Sequence, residues 1–151
     1  MSKVFLGGTC NGSTWRDDLI PYLEDAKIDY FNPVVEDWTE DCIEEEERQK
    51  NHECDIHLYV ITKDQSGPYS LCEALNDAWM VYTNDESSIV RTVILYIVPN
   101  DFDKKMLNSI KACADFLHSM NSGNIIVIED VYQPNELAEY IEELSYNNSN
   151  N

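Results

Sequence analysis

Short apolar runs of strand length alternate along this chain with stretches of helical spacing, and that alternation limits the architecture more than any other feature. The runs are Lys3 to Gly7, Ile28 to Phe31, Ile56 to Thr62, Ile89 to Val98 and Asn124 to Ile128. Between them, Leu19, Leu23 and Ala26 share one helical face within Trp15 to Ala26, and Leu71, Ala74, Leu75, Ala78 and Tyr82 form a second stripe. Met106, Ile110, Cys113, Leu117 and Met120 give another, and Leu137, Tyr140, Ile141 and Leu144 mark the last. Glu40 to Glu53 also reads as helix, although Ile43 is its main apolar anchor. Strands written as near-continuous apolar runs are buried on both faces, which calls for a parallel sheet covered by helices on each side.

Right-handed crossovers and about five strands point to a single α/β domain of flavodoxin or Rossmann type, with strand order 2-1-3-4-5. The domain is expected over 1–146, and the Asn/Ser-rich segment 147–151 reads as a disordered tail. Ile89 to Val98, closed by Pro99-Asn100, is the expected central strand.

The chain's 151 residues carry a formal charge of -19. Such a surface repels phosphate backbones and anionic lipid, so neither nucleic acid nor membrane is an expected partner. No apolar run approaches the roughly 18 residues of a membrane span, and the N-terminus has no basic segment followed by an apolar one. A cytoplasmic protein is expected. Its five cysteines, Cys10, Cys42, Cys54, Cys72 and Cys113, form no CxxC pair and read as reduced thiols. His52, Cys54 and His57 lie close together, but no fourth ligand accompanies them; neither a metal nor a cofactor is expected.

In an open α/β sheet, ligands bind beyond the carboxyl ends of the strands. The first strand ends in Gly7-Gly8-Thr9-Cys10-Asn11-Gly12 and the third runs into Ser66, Gly67, Tyr69 and Glu73. The predicted order makes these two ends neighbours. The glycine run lacks GxGxxG spacing and there is no GxxxxGK[ST], so it reads either as a tight turn or as a close backbone approach to a ligand. Ser70-Leu-Cys-Glu73 fits a capping box, in which Glu73 would reach back to a backbone N–H; a nucleophilic carboxylate is the other reading. Arg16, a cation in a chain that has few, is a surface partner of Asp17 or Glu24, or an anion clamp. Glu47, within the run Glu44 to Glu47, reads by itself as one more solvated acid.

Three segments together resemble the nucleoside 2-deoxyribosyltransferase superfamily, in its small deoxyribosyltransferase-like branch: Val4 through Arg16, Tyr30-Phe-Asn-Pro-Val34, and Asp55 through Glu73-Ala-Leu. The resemblance implies cleavage of the N-glycosidic bond of a nucleoside or nucleotide through a glycosyl-enzyme intermediate, with water or a second base as acceptor. It implies Glu73 as the nucleophile, assisted by Tyr69, with Glu47 near the base. Gly7, Gly8, Thr9, Asn11, Arg16, Asp64, Ser66 and Gly67 would contribute to substrate binding. Family members often carry an aspartate just before the nucleophile; here that stretch is Ser66-Gly67-Pro68-Tyr69-Ser70, with Asp64 further back. Transfer and hydrolysis both stay open, as do a nucleoside 5′-monophosphate N-glycosidase and a non-catalytic nucleotide sensor. The resemblance further implies a homodimer or higher homo-oligomer; Trp79 and Tyr82 on the third helix exceed what one core needs, and Trp79, offset from the main apolar stripe, could face a partner.

Overall fold

Alternating side-chain direction along each strand sorts the core into two layers, one on each face of a five-stranded sheet. The computed structural model describes residues 1–10 and 12–151; Asn11, expected at the site, lies outside the described residues. The strands are β1 (Lys3–Gly8), β2 (Asp29–Phe31), β3 (Ile56–Ile61), β4 (Thr92–Ile97) and β5 (Ile125–Glu129). They pair in the order β2-β1-β3-β4-β5, and every pairing is parallel. The helices are α1 (Trp15–Asp25), α2 (Glu40–His52), α3 (Tyr69–Thr83), α4 (Lys104–Ser119) and α5 (Pro134–Ser149). This is the topology that the alternation of strands and helices calls for.

Val4, Leu6, Ile56, Leu58, Val60, Ile94 and Tyr96 point to one face, where Trp15, Leu19 and Leu23 of α1 and Leu137 and Ile141 of α5 cover them. Phe5, Tyr59, Ile61, Val93, Leu95 and Ile97 point to the other, beneath Leu71, Ala74 and Ala78 of α3 and Ile110, Ala114 and Leu117 of α4. His57 shares this second face with Tyr59, two residues along β3, and is also buried. α2 reaches the same face: the backbone oxygen of Lys50 lies 3.0 Å from His57 Nε2.

Several boundaries differ from the sequence reading by one residue, and three differ in ways that have a physical cause or a consequence for the site. β4 starts at Thr92 rather than Ile89, because the Ile89 N–H donates to Asn51 O at the end of α2 instead of joining the ladder. α3 starts at Tyr69, with Pro68 at its N-cap and Cys72 N–H donating to Pro68 O, so Ser70 is not the cap and the capping box does not form. Glu73 therefore sits in the second turn of α3. α5 continues to Ser149, through most of the segment the sequence assigns to a tail. Asn148 there donates to Asp55 Oδ2 at 3.4 Å, and Asp55 also accepts from Ser2 Oγ at 2.8 Å and Lys3 N at 2.9 Å.

Among the described residues no helix is long and apolar enough to cross a membrane.

Candidate functional site

Parallel pairing of β1 with β3 sets Gly8 against Val60 at their carboxyl ends, and the crevice opens above that pair. Glycine is required here on two counts. Gly8 has φ +106°, and a β-carbon on it would run into the Val60 backbone; one on Gly7 would stand 2.5 Å from Tyr59 Cε1. The bare backbone leaves open a narrow cavity of about 240 Å³, bordered by Gly7, Gly8, Cys10, Arg16, Trp38, Glu46 and Glu73. A wider cavity of about 620 Å³ lies between α2 and α3 and shares Trp38, Glu46, Tyr69 and Glu73 with the narrow one. The two form one cleft, and Glu73 stands where they meet.

The loops bordering the cleft are tied from below. Thr9 is buried; its hydroxyl accepts from Thr62 N–H at 2.9 Å and donates to Gln65 Oε1 at 2.8 Å, while Gln65 Nε2 donates to Gly67 O at 2.6 Å. Arg16 is only 4 % exposed. Its fork donates to Leu6 O at 2.9 Å, Thr9 O at 2.7 Å and Gly8 O at 3.3 Å, and its guanidinium carbon lies 4.4 Å from the Trp15 ring centroid. Burial pulls the Arg16 pKa below its ordinary value. The cation thus braces the glycine turn from within, a use that neither sequence reading of Arg16 anticipates.

Glu73 is held by a lysine. Lys50 Nζ donates to Glu73 Oε2 at 2.8 Å and lies 3.6 Å from Asp77 Oδ2. The Lys50 and Glu73 side chains are 14 % and 12 % exposed. Helical spacing builds the arrangement twice over: Glu46 and Lys50 are four apart on α2, and Glu73 and Asp77 are four apart on α3. Behind Lys50, Asp77 Oδ2 lies 2.8 Å from His57 Nδ1 and accepts the Tyr59 hydroxyl proton. His57 Nε2 faces the Lys50 and Cys54 oxygens, each at 3.0 Å, so it donates there.

The charges follow from these contacts. Burial alone would raise the Asp77 carboxyl, but the hydrogen bond and charge of His57, with Lys50 and Tyr59, outweigh it and hold the group below its usual value. Burial opposes the Lys50 charge, yet Asp77 and Glu73 more than compensate, and its pKa is raised. Tyr59 is pushed well up by burial and by the Asp77 charge and stays a donor. Glu46 is raised, first by burial and then by the Glu73 charge; the charge of Glu73 is also the main cause of a raised Tyr69.

Of the residues expected from sequence, Gly7, Gly8, Arg16, Glu47, Tyr69 and Glu73 border this cleft. Glu47 is exposed on its outer wall, whereas Glu46 is half-buried and borders both of its parts. Thr9 and Gly67 belong to the bracing beneath it, and Ser66 is exposed on the β3–α3 loop. Asp64 borders a different cavity, with Thr14, Trp15, Asp18 and Tyr132 at the start of α1. Lys50, Asp77, His57 and Tyr59 were missed. Their signal was present in the spacing: His57 and Tyr59 are two apart on β3, polar positions on a face otherwise apolar, and Asp77 follows Glu73 by one helical turn. Among the described residues no three His, Cys, Asp or Glu side chains are grouped to hold a metal ion. Burial pushes the Cys54 thiol up to about 12.

A family model described as "Nucleoside 2-deoxyribosyltransferase like" matches residues 1–90, which include β1 through α3 and every residue of the cleft named above. Neither a curated protein nor a solved structure matched the chain.

Proposed function

The chain belongs to the nucleoside 2-deoxyribosyltransferase-like family, and from that premise we propose that it cleaves the N-glycosidic bond of a (deoxy)nucleoside through a covalent intermediate on Glu73. The observation that carries the reading is the setting of Glu73: a carboxylate on a rigid helix, 12 % exposed, paired to an ammonium at 2.8 Å, at the junction of a wide and a narrow cavity. A nucleophilic carboxylate needs a partly dry site and a neighbour that stabilises its anion, and Glu73 has both in its low exposure and its contact with Lys50.

As the glycosidic bond lengthens, positive charge builds at C1′ of the sugar, and Glu73 stabilises it before bonding to the carbon. The base leaves with the bonding electron pair and needs a proton. Glu46 suits that task better than Glu47, because burial and the nearby Glu73 charge favour its protonated form. Raised by the same charge, Tyr69 keeps its proton and can donate to Glu73 or to a sugar hydroxyl. Attack by water or a second base at C1′ then frees Glu73. Trp38 and Met80, on the walls of the wide cavity, offer apolar surface to a planar base.

Exposed Trp79 and Tyr82, whose ring centroids lie 5.7 Å apart on the outer face of α3, support assembly into a homodimer or larger oligomer.

The test is product analysis with a panel of nucleosides and their 5′-monophosphates, with and without an added acceptor base. Free base released in water indicates hydrolysis, and release only with an acceptor indicates transfer. Turnover confined to monophosphates indicates a nucleotide N-glycosidase. Binding without turnover of any compound would refute the enzymatic reading and leave a nucleotide sensor.

A further inference from the structure

Behind Glu73 lies a line of buried polar groups that the glycosidic chemistry above does not use: Lys50, Asp77, His57 and Tyr59. Its arrangement bears on a difficulty inherent in the site. An ammonium 2.8 Å from a carboxylate stabilises the charge on that carboxylate. When Glu73 bonds to the sugar it becomes a neutral ester, and the largely buried cation loses its hydrogen-bonded partner, keeping only the Asp77 charge 3.6 Å away. A largely buried charge without a hydrogen-bonded acceptor is costly, so a cation that could not move would slow the very step the carboxylate performs. Asp77 Oδ2 stands 3.6 Å from the same nitrogen, within reach of a small side-chain adjustment. It is 3 % exposed and fixed from its far side by His57 and Tyr59, so the second berth is rigid. The Phe5 and Tyr59 rings, with centroids 5.3 Å and 5.8 Å from Lys50 Nζ, face the cation near both positions.

We propose that Lys50 is a positioning residue that passes from Glu73 to Asp77 as Glu73 is esterified and returns as the ester is cleaved. The inference rests on the glycosyl-enzyme reading and extends it. In the first step a Glu73 Oε–C1′ bond forms and the C1′–N bond breaks; the electron pair leaves with the base, which takes a proton from Glu46. In the second, water or an acceptor base bonds to C1′ and gives its proton to Glu46, while the ester C–O pair returns to Glu73. Lys50 keeps its three protons throughout, and nothing is oxidised or reduced.

The charged and titratable groups around Glu73 are Glu46 and Lys50 from α2, Tyr69 and Asp77 from α3, and Tyr59 and His57 from β3 through Asp77. Arg16 and Cys10 border the narrow cavity on the β1–α1 side. Glu46 and Asp77 are carboxyl groups on the flanks of Glu73, and Lys50 is a cation in direct contact with it. Removing Lys50 therefore has a readout that packing alone would not move.

Carbon-13 NMR of the Glu73 side-chain carboxyl, followed against pH, is the first arm. In Lys50→Met the midpoint should rise by roughly one unit or more, and Lys50→Arg should restore it. In the wild type, the Lys50 ammonium nitrogen resonance should follow the Glu73 titration, which keeps the test decisive should Lys50→Met not fold. An unmoved midpoint, or a Lys50 resonance indifferent to Glu73, would overturn the pairing. The second arm is rapid-quench measurement of the glycosyl-enzyme burst. Asp77→Asn, which retains Lys50 on Glu73 but weakens the second berth, should slow the burst about tenfold or more with KM little changed and no upward shift of Glu73. A burst at the wild-type rate would overturn the hand-over. Wild-type protein inert toward every nucleoside and nucleotide would overturn the glycosidic reading and the hand-over together, while the titration would still decide the Lys50–Glu73 pair.

Discussion

Replacing Tyr59 by phenylalanine removes one hydroxyl and leaves the aromatic ring in place between Phe5 and the Asp77 side chain. The ring is fully buried, so the substitution creates little empty volume, and its effect should come almost wholly from the lost donor to Asp77. A hydrogen bond to a charged group is worth roughly 1.5–3 kcal/mol. For a domain of this size each kcal/mol moves Tm by about 2–4 °C, so Tyr59→Phe should melt roughly 3–12 °C lower at neutral pH. The pH dependence gives the prediction its edge. The folded-state pKa of Asp77 is depressed, so the stability it contributes is present above its unfolded value, about 3.9, and is lost as the pH falls through the folded value. Loss of the Tyr59 donor moves the folded value back toward the unfolded one, so the variant has less of that stability to lose. The gap in Tm should be constant from about pH 7 down to about pH 5 and should narrow as the medium is made more acidic. Thermal denaturation of both proteins by circular dichroism over this range is the assay. A variant as stable as the wild type at pH 7, or a gap that persists unchanged into acid, would refute the charged-network account of Asp77.

Arg16→Lys should destabilise the fold by about 2 kcal/mol or more, since an ammonium cannot replace a fork shared among three carbonyls. Its effect on turnover should be alike for nucleosides and for their monophosphates; selective loss with monophosphates would instead mark Arg16 as a phosphate clamp. Gly8→Ala combines φ +106° with a clash against the Val60 backbone and should cost about 3 kcal/mol or more, read as a lower urea midpoint or loss of soluble protein. Light scattering should find a dimer or larger species that Trp79→Glu weakens; a 17.5 kDa species alone across a wide concentration range would defeat the proposed assembly.

The fold was legible because a parallel sheet buried on both faces leaves a coarse trace, apolar runs alternating with helical stripes, that survives errors of a few residues at each end. The cleft was legible in part. Gly7, Gly8 and Glu73 follow from where strands end in this topology, and the order of strands alone brings them together. The supporting charges were not. Lys50 sits in a helix with six acidic residues, where it reads as a surface cation, and only the tertiary fold brings its ammonium within 2.8 Å of Glu73. Four consecutive acids likewise hide which of them faces inward; the position of Glu46 one turn before Lys50 settles the face. Arg16 shows the opposite failure, because a scarce cation beside a glycine turn suggests a ligand, yet the nearest unsatisfied acceptors are the carbonyls of the turn itself. The helix start at Tyr69 was obscured by Ser70-Leu-Cys-Glu73, a sequence that fits a cap but lies one residue inside the helix.

The central claim is that Glu73 becomes covalently bonded to a sugar, and trapping tests it most directly. A nucleoside with fluorine at the sugar 2-position slows release of the intermediate, so intact-protein mass spectrometry after incubation should show one added fluorosugar. Peptide mapping should place it on Glu73. Glu73→Gln, which can still accept from Lys50, should fold with a similar Tm, acquire no adduct, and turn over natural substrate at least about 10³-fold more slowly, equivalent to roughly 4 kcal/mol of barrier. An adduct on another residue, or a Glu73→Gln protein that turns over substrate near the wild-type rate, would contradict the account.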